Sequence, residues 1–416
     1  MPISKGIPTI IMLLILTTSC EPIGDTMPTA RSISGDEISS PIATPVQAPD
    51  LFTPTASPPD IRFQCLQILP SEPGNLGISG QIILRDYQRN GPLFALDLAN
   101  GQRTEILGSS GPHTIAAVSP GRQLLAYRDN DSTGDGDNLV IVDTKRVVQK
   151  SIPWQADWLT IVNWINDRQL ALQNLDPEAR MVILDWISSQ ERPISFSQLP
   201  DFSDSVIEPW AEYDPTLERV LYPVTGDEYS LFDLTAGRSI ARLPSWSTEA
   251  PDAAWTQDGE VVAVIGPSPE YYDNLGGSDE IFAINRNGQV EQITRLADYY
   301  GRNLGLYSPS WSPNGTQLAF WLYHSINEGP KYVLTIVDSR TKAATNLCIS
   351  SDPSGYGGEF RETLPPPIWS PDGEQILVEN RFSEDHNRII LVDLSHTIAM
   401  VIAQDARPVG WMVAQP

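Results

Sequence analysis

Two kinds of short apolar segment alternate along the chain from about residue 80 to the C-terminus. In the first kind, a Pro-Asn-Gly or Pro-Asp-Gly turn follows a tryptophan and precedes an apolar stretch, most clearly in Tyr307–Trp321 and Pro366–Glu379. Two apolar segments on either side of a glycine turn predict a β-hairpin. Four weaker copies of this hairpin are found at Ala116–Tyr127, Val162–Leu172, Glu212–Tyr222 and Ala253–Val264.

The second kind is a short β-branched segment that ends in aspartate or asparagine. Seven copies end at Asp97, Asp143, Asp185, Asp233, Asn285, Asp338 and Asp393, spaced 42 to 55 residues apart. A glycine follows shortly after three of them, at Gly101, Gly237 and Gly288, which predicts a second hairpin in each repeat. Two hairpins make four strands in about 49 residues, which is the size of a propeller blade.

The number of copies predicts how the ring closes. The first repeat has its second to fourth strands at about residues 81–107 but lacks a first strand, whereas the chain ends in a first-strand fragment that contains Trp411. We therefore predict an all-β fold, a seven-bladed β-propeller of four-stranded blades closed by the C-terminal strand, which leaves no free sheet edge at the closure. Continuous apolar strands predict burial on both sheet faces, with each tryptophan wedged between blades.

Composition and charge restrict the class of partner. The chain has 36 Pro and 29 Gly, which is too many for long helices. Lys and Arg number 27 against 52 Asp and Glu, giving a net charge of −25. This charge excludes binding to nucleic acid or to an anionic membrane surface. We expect a monomer whose partner is an envelope protein or a carbohydrate.

The N-terminal residues predict export. Residues 1–19 have the pattern of a signal peptide, with Lys5, the apolar run Ile10–Leu16 and small residues before Cys20. This ending resembles the lipobox of bacterial lipoproteins, which implies lipidation of Cys20; the alternative is a chance cysteine after an ordinary cleaved signal. Residues 20–60 are rich in Pro, Ser and Thr and predict a disordered linker before a propeller at 61–416. We therefore expect an extracytoplasmic protein of the bacterial envelope, attached to the membrane only through the lipid.

The strongest repeats resemble a known family. Trp311–Gly315 reads WSPNG and Trp369–Gly373 reads WSPDG, and each is followed by a strand ending in Val-Asp. They resemble the TolB-like repeats also found in tricorn-type propellers, over about residues 65–413. The resemblance implies an exported propeller that binds proteins or small ligands at one face. It implies no catalytic role, because the matched residues are structural turns.

Motifs of catalysis are absent from the sequence: there is no Gly-x-Ser-x-Gly, HExxH, phosphate loop or paired CxxC. The histidines, which we assign to different blades, are His113, His324, His386 and His396. We therefore favour a non-catalytic binding or scaffold module. The alternative is a lyase-like carbohydrate-active enzyme, which would need histidines and acidic residues to converge on a metal in the central channel.

Two further sites follow from spacing. Asp129, Asp131, Thr133 and Asp137, with Gly134 at the bend, place alternating oxygens as a Ca²⁺ loop would, although no Glu stands at the twelfth position of an EF-hand. The alternative is a solvated acidic hairpin loop. Cys65 and Cys348 remain as an even pair, either bonded to each other or buried separately.

Tyrosines concentrate in the longest predicted loops, at 266–280, 295–307, 323–332 and 350–366 of blades five to seven. Tyrosine suits recognition of a protein or sugar because a large apolar ring carries a hydrogen-bonding tip. The candidate binding residues are Tyr271, Tyr272, Tyr299, Tyr300, Arg302, Tyr307, Tyr323 and Tyr356, with Tyr332 and Arg361 in the same loops. The alternative is that several of these rings only cover blade ends.

Overall fold

The computed structural model describes most of the chain after the N-terminal region. The described residues are 60–70, 78–86, 92–106, 116–129, 137–155, 158–174, 181–194, 199–201, 211–224, 228–245, 252–270, 277–326, 329–351, 364–382 and 386–413. The predicted signal peptide, Cys20 and all of the predicted linker except Asp60 lie outside them.

Seven antiparallel four-stranded sheets form the blades, and each is described from its inner strand outward. Blade one contains Ala406–Met412, Gln81–Asp86, Leu93–Asp97 and Arg103–Glu105; blade two Ala116–Val118, Leu124–Asp129, Asn138–Asp143 and Val148–Pro153; blade three Trp158–Asn166, Gln169–Asn174, Met181–Asp185 and Gln190–Ile194; blade four Glu212–Tyr213, Arg219–Val224, Glu228–Asp233 and Arg238–Pro244.

The last three blades continue the pattern. Blade five contains Ala253–Trp255, Val261–Pro267, Asp279–Asn285 and Val290–Gln292; blade six Leu304–Trp311, Gln317–Ile326, Gly329–Asp338 and Ala344–Ser351; blade seven Ile368–Trp369, Gln375–Arg381, Asn387–Asp393 and Ile398–Gln404. A short helix, Ala297–Tyr300, connects blades five and six. The seven-bladed propeller is thus confirmed.

The C-terminal strand closes the ring as predicted. Ala406–Met412 pairs antiparallel with Gln81–Asp86, and Trp411 lies opposite Ile82. Both residues are buried in the apolar interface between blades seven and one. The first blade is therefore completed by the last strand of the chain.

Two further strands come from the segment before blade one, and the sequence did not predict them. Ile61–Phe63 pairs parallel with the outer strand of blade six, and Ile68–Pro70 pairs parallel with the outer strand of blade seven. We call residues 60–70 the strap. Blades six and seven consequently have five strands each, and the strap covers edges that would otherwise be free.

Tryptophans join neighbouring inner strands through their indole N–H groups, which makes them the predicted wedges. The ring nitrogen Nε1 donates to a backbone carbonyl of an earlier blade in four cases: Trp164 to Ala117, Trp255 to Glu212, Trp311 to Ala254 and Trp369 to Ser310, at 2.8 to 3.4 Å. When the repeats are aligned, each acceptor carbonyl belongs to the residue of the earlier blade that corresponds to the position directly before the tryptophan. The wedge therefore also fixes the height of one blade relative to the next.

The recurring aspartates at the ends of the third strands are structural. Their carboxylates accept backbone N–H bonds from the turn that follows, as Asp233 does from Thr235 and Ala236 at 2.9 and 2.8 Å. The same bonds lower the pKa of Asp338, to which the Thr341 backbone N–H contributes most. The repeat motif thus specifies turns, as the sequence indicated.

Candidate functional site

The topology gives the disk two different faces. Turns from the first to the second strand and from the third to the fourth leave each blade at one end, which we call the turn face. Connections from the second to the third strand, and from one blade to the next, leave at the other end, which we call the loop face. The helix Ala297–Tyr300 belongs to the loop face.

Four rings form a continuous series at the rim of the loop face. Phe63 of the strap lies 6.2 Å from Tyr299 between ring centroids, Tyr299 lies 4.9 Å from Tyr300, and Tyr300 lies 5.3 Å from His324. We call these four residues the ring ladder. Phe63 and Tyr299 are 55% and 57% exposed, whereas Tyr300 packs on the core between blades five and six. The ladder therefore has an exposed end and an anchored end.

A buried carboxylate holds the helix that carries the two tyrosines. Glu280, 1% exposed, accepts the backbone N–H bonds of Leu296 and Ala297 at 3.1 and 2.7 Å and the Thr294 hydroxyl at 2.5 Å. Burial raises the pKa of Glu280 to about 7 although these bonds oppose the shift. His324 supports the other side, because its Nε2 lies 3.0 Å from the Tyr300 carbonyl oxygen.

A second tyrosine group lies on the opposite side of blade six. Tyr332 is 5.3 Å from Tyr307 and 5.2 Å from Tyr323 between ring centroids, and Tyr307 and Tyr332 pack against the core shared with blade seven. The segment 323–332, expected as a loop, is mostly strand, and Tyr323 and Tyr332 pair directly within the hairpin. Tyr307 likewise lies within a strand.

The predicted binding residues therefore separate into two groups rather than one surface. Tyr299 and Tyr300 lie beside blade five with exposed Arg302 nearby in sequence, and Tyr307 and Tyr323 lie beside blade seven. Tyr271, Tyr272, Tyr356 and Arg361 are outside the described residues. The sequence missed Phe63 and His324 as members of the ladder. The one sequence signal for Phe63 was its position two residues before Cys65. A disulfide from Cys65 to Cys348 would bring Phe63 to blade six.

The central channel is lined by the inner strands of all seven blades and has a volume of about 430 Å³. Among the described residues that line it, the charged ones are Arg122 and Glu212. Burial and the nearby Asp252 raise the pKa of Glu212 to about 7. The pKa of Asp252 is raised to about 6, chiefly by burial, and its carboxylate accepts the Ser308 backbone N–H at 2.9 Å.

The histidines do not gather at the channel in the part of the chain that the structure covers. His324 belongs to the ring ladder, whereas His386 and His396 both belong to blade seven, where they contact Asp405 and Asp393. The assignment of every histidine to a different blade was therefore wrong for this pair. His113 lies outside the described residues, and no group of three metal-ligating side chains occurs within them.

The acidic loop of blade two is only partly described. Asp129 ends the second strand and Asp137 directly precedes the third, while Asp131 and Thr133 fall outside the described residues. Arg128 donates to Asp137 from its Nε at 2.9 Å, and its guanidinium lies over the Trp154 ring. One predicted ligand oxygen thus already has a cationic partner, and Ca²⁺ binding stays a prediction.

Cys65 and Cys348 form a disulfide that ties the strap to the outer strand of blade six, with their Cα atoms 4.7 Å apart. The backbone N–H of Gln64 also donates to Asn346 at 2.8 Å. The strap is therefore held by covalent and backbone bonds together.

In the described part of the chain, no helix is both long and apolar enough to cross a membrane. No family model matches the chain, and no curated protein does so. Solved structures similar to it include TolB from Acinetobacter baumannii, with a TM-score of 0.41 and 16% identity, covering 80% of this chain. The match spans 66% of the TolB chain, just under two thirds of its length.

Two other similar structures bear the names of enzymes. A periplasmic gluconolactonase from Pseudomonas aeruginosa has a TM-score of 0.49 and 18% identity, covering 81% of this chain and 99% of its own. An oligogalacturonate lyase in complex with manganese has a TM-score of 0.47 and 12% identity, covering 77% and 85%. At these low identities and TM-scores, the similarities leave the function, including enzymatic activity, open.

Proposed function

We propose that this protein is an extracytoplasmic, lipid-anchored propeller that performs no catalysis and binds an envelope protein through the ring ladder. The observation that carries the proposal is the pair of exposed rings, Phe63 and Tyr299. The backbone at Phe63 is fixed by the nearby disulfide of Cys65, and the helix that carries Tyr299 is fixed by the buried carboxylate of Glu280. The signal-like leader and the lipobox-like Cys20 support the location.

The energetics favour a recognition role. A large apolar ring left in water forgoes roughly 1.5 to 3 kcal/mol of burial. Phe63 and Tyr299 both lose much of this burial energy because they are more than half exposed. Each is nevertheless held in position, Phe63 by the nearby disulfide of Cys65 and Tyr299 by the buried carboxylate of Glu280. Aromatic residues with pre-set positions are the usual anchors of protein interfaces, because little side-chain entropy is lost on binding.

The ring angles favour a protein over a carbohydrate. The Phe63 and Tyr299 planes are inclined by 48°, and those of Tyr299 and Tyr300 by 77°. A saccharide chain stacks best along coplanar rings, whereas inclined rings form notches that accept side chains from several directions. The carbohydrate alternative remains an outcome of the test.

The test compares two exposed-ring variants of the full chain. Phe63→Ala/Tyr299→Ala removes the exposed end of the ladder, and Phe382→Ala removes a ring of similar exposure, 54%, from the loop connection of blade seven. Envelope extract of the source cells is passed over each immobilised protein. We expect wild type and Phe382→Ala to retain the same defined protein. The amount retained by the double variant should be at least tenfold lower, although all three propellers should have the same melting temperature.

Equal retention by all three proteins would contradict the ladder as the binding surface. Retention of polysaccharide alone, lost in the double variant, would assign the same surface to a carbohydrate. Attachment is tested separately with Cys20→Ser, which should move the chain from the membrane fraction to the aqueous fraction. An unchanged membrane fraction would contradict the lipid anchor.

A further inference from the structure

The turn of blade two places an arginine in an unusual backbone conformation beside the channel. In blades five, six and seven the corresponding position is Gly259, Gly315 or Gly373, with φ between 66° and 76°. In blade two the glycine comes one residue early, at Gly121, and Arg122 takes the left-handed conformation with φ 60°. That conformation costs an L-residue about 1 to 2 kcal/mol, so it needs support from its neighbours.

Neighbouring blades fix this turn from two sides. The Gly121 backbone N–H donates to the Asp167 carboxylate of blade three at 2.6 Å. The Arg122 carbonyl accepts the backbone N–H of Val413, directly after the closing strand, at 2.9 Å. A strained residue that its surroundings hold firmly is a common feature of ligand sites.

The Arg122 side chain lines the channel and is only partly satisfied. Its Nη1 atom is buried and has no hydrogen-bond partner among the described residues. Burial lowers the pKa of Arg122 to about 10, against the attraction of Asp372, so the group stays cationic at neutral pH. A buried guanidinium N–H without an acceptor is unfavourable, and an anion would satisfy it with a charge-assisted bond.

Trp411 lines the same cavity, and its indole also carries an unsatisfied donor. Four other inner-strand tryptophans donate their Nε1–H to a neighbouring blade, whereas the buried Nε1 of Trp411 has no acceptor in the described part of the structure. Trp411 belongs to the closing strand Ala406–Met412, and the backbone N–H of Val413 after this strand is the donor to the Arg122 carbonyl. Both unsatisfied donors therefore belong to the closure of the ring.

The rest of the wall is mixed and restricts the ligand. Pro120, Val409, Pro313, Ile368 and Trp369 make up part of its apolar area, and polar residues such as Asn163, Thr256 and Gln257 supply a similar polar area. About 430 Å³ is the size of a small-molecule site rather than of a macromolecular groove. Glu212 on the same wall and the net charge of −25 disfavour a ligand with several negative charges.

We infer that the central channel, at the ring closure, binds a small organic monocarboxylate, with Arg122 holding the carboxylate and the apolar residues of the wall holding its body. This site is separate from the ring ladder and does not depend on the proposed function.

The inference is tested with simple acids on the intact folded chain at neutral pH and constant ionic strength. Acetate, hexanoate and benzoate are titrated by ligand-observed NMR, with benzamide as the uncharged partner of benzoate. We expect saturable binding of at least one acid. Its affinity should fall at least tenfold in Arg122→Gln and for the uncharged partner.

Arg146 provides the matched control. It lies in the same blade with φ 64°, but it is exposed in an outer turn. Arg146→Gln should bind like wild type, and Arg122→Lys, which keeps the charge, should lose less than Arg122→Gln. These two variants and the wild-type titrations remain informative if Arg122→Gln fails to fold.

Three results would overturn the inference. One is the absence of saturable binding by all three acids, and another is equal affinity for benzoate and benzamide. The third is displacement of the acid by inorganic phosphate at lower concentration, which would assign the site to phosphate.

Discussion

In blades five to seven the inner turn closes on a glycine, whereas in blades two and four it closes on Arg122 and Leu217, each with φ 60°. The backbone path is the same, but its support differs. In blade seven the Ser370 hydroxyl donates to Asp372 two residues later, while in blade four the pair is reversed and the Thr216 hydroxyl donates to Asp214. The turn thus keeps its shape without glycine, although the side-chain hydrogen bonds within it differ.

The two sides of the ring also differ in the links that join their strands. Blades six and seven carry the strap and its disulfide. Blade four instead has a buried ion pair, in which Arg219 Nη2 lies 2.9 Å from Asp214 Oδ2 with side-chain exposures of 2% and 0%. We therefore expect reduction of the disulfide and substitution of glycines to lower the stability of blades five to seven. In blade four, we expect the loss of a charge to lower stability.

The largest effect should come from the disulfide. Cys65→Ser/Cys348→Ser removes a link between residues 283 positions apart, and the lost restriction of the unfolded chain corresponds to about 5.6 kcal/mol. Urea denaturation of the variant and of wild type with reductant should give the same lowered midpoint. A variant as stable as oxidised wild type would show that the strap is held by its backbone pairing alone.

Asp214→Asn should be the next most damaging change. It leaves the Arg219 charge buried without a counter-ion, which costs about 4 kcal/mol. Asp258→Asn is the matched change in the glycine turn of blade five, where the carboxylate accepts bonds from Thr256 and Glu260, and it should cost about 1 kcal/mol. Equal losses in the two variants, measured by denaturation, would remove the distinction between the blades.

A pH effect should appear in the connection between blades five and six. The folded pKa of Glu280 is about 7, above the value of about 4.3 expected in the unfolded chain. The folded state therefore binds the proton more tightly, and stability should fall by about 3 kcal/mol as pH rises from 4.5 to 7.5. Glu280→Gln should flatten this slope in denaturation series, and an unchanged slope would assign it to other groups.

The smallest effects should come from exchanging the turn residues themselves. Gly373→Ala places a side chain at φ 76° with no neighbour closer than 3.6 Å, so conformational strain alone should cost about 1 kcal/mol. Leu217→Gly relieves the same strain in blade four but removes a half-buried side chain that packs against the core between blades three and four, so the two effects should offset each other to within about 1 kcal/mol. Thermal denaturation that showed Leu217→Gly to be strongly destabilising would indicate that its side chain packing dominates.

Much of the ring could be predicted because its signals are local and repeated. The Asp and Asn residues after the third strands gave seven copies, and Trp411 gave the closure. The strap could not be predicted, since Ile61–Phe63 and Ile68–Pro70 are too short for a periodic pattern and pair with strands about 280 to 330 residues away.

The candidate site was predicted less well for a related reason. Tyrosine content pointed to blades five to seven, but residues 323–332 were predicted as a loop where two ten-residue strands form a hairpin. Because this segment is strand, Tyr323 and Tyr332 pair with each other in a hairpin, on the side of blade six that faces blade seven. Phe63 joins Tyr299 only through the strap, so no sequence neighbour of either residue reveals the contact.

The strap also determines how the molecule would respond to mechanical load. A pull on the chain ahead of Ile61 acts along a parallel strand pair, which must slide as a whole rather than separate one bond at a time. At Cys65 the force passes through the disulfide into blade six, before it reaches Gln81. Tension from the N-terminal side would therefore bypass the pairing between the first and last strands, which is where the ring would otherwise open.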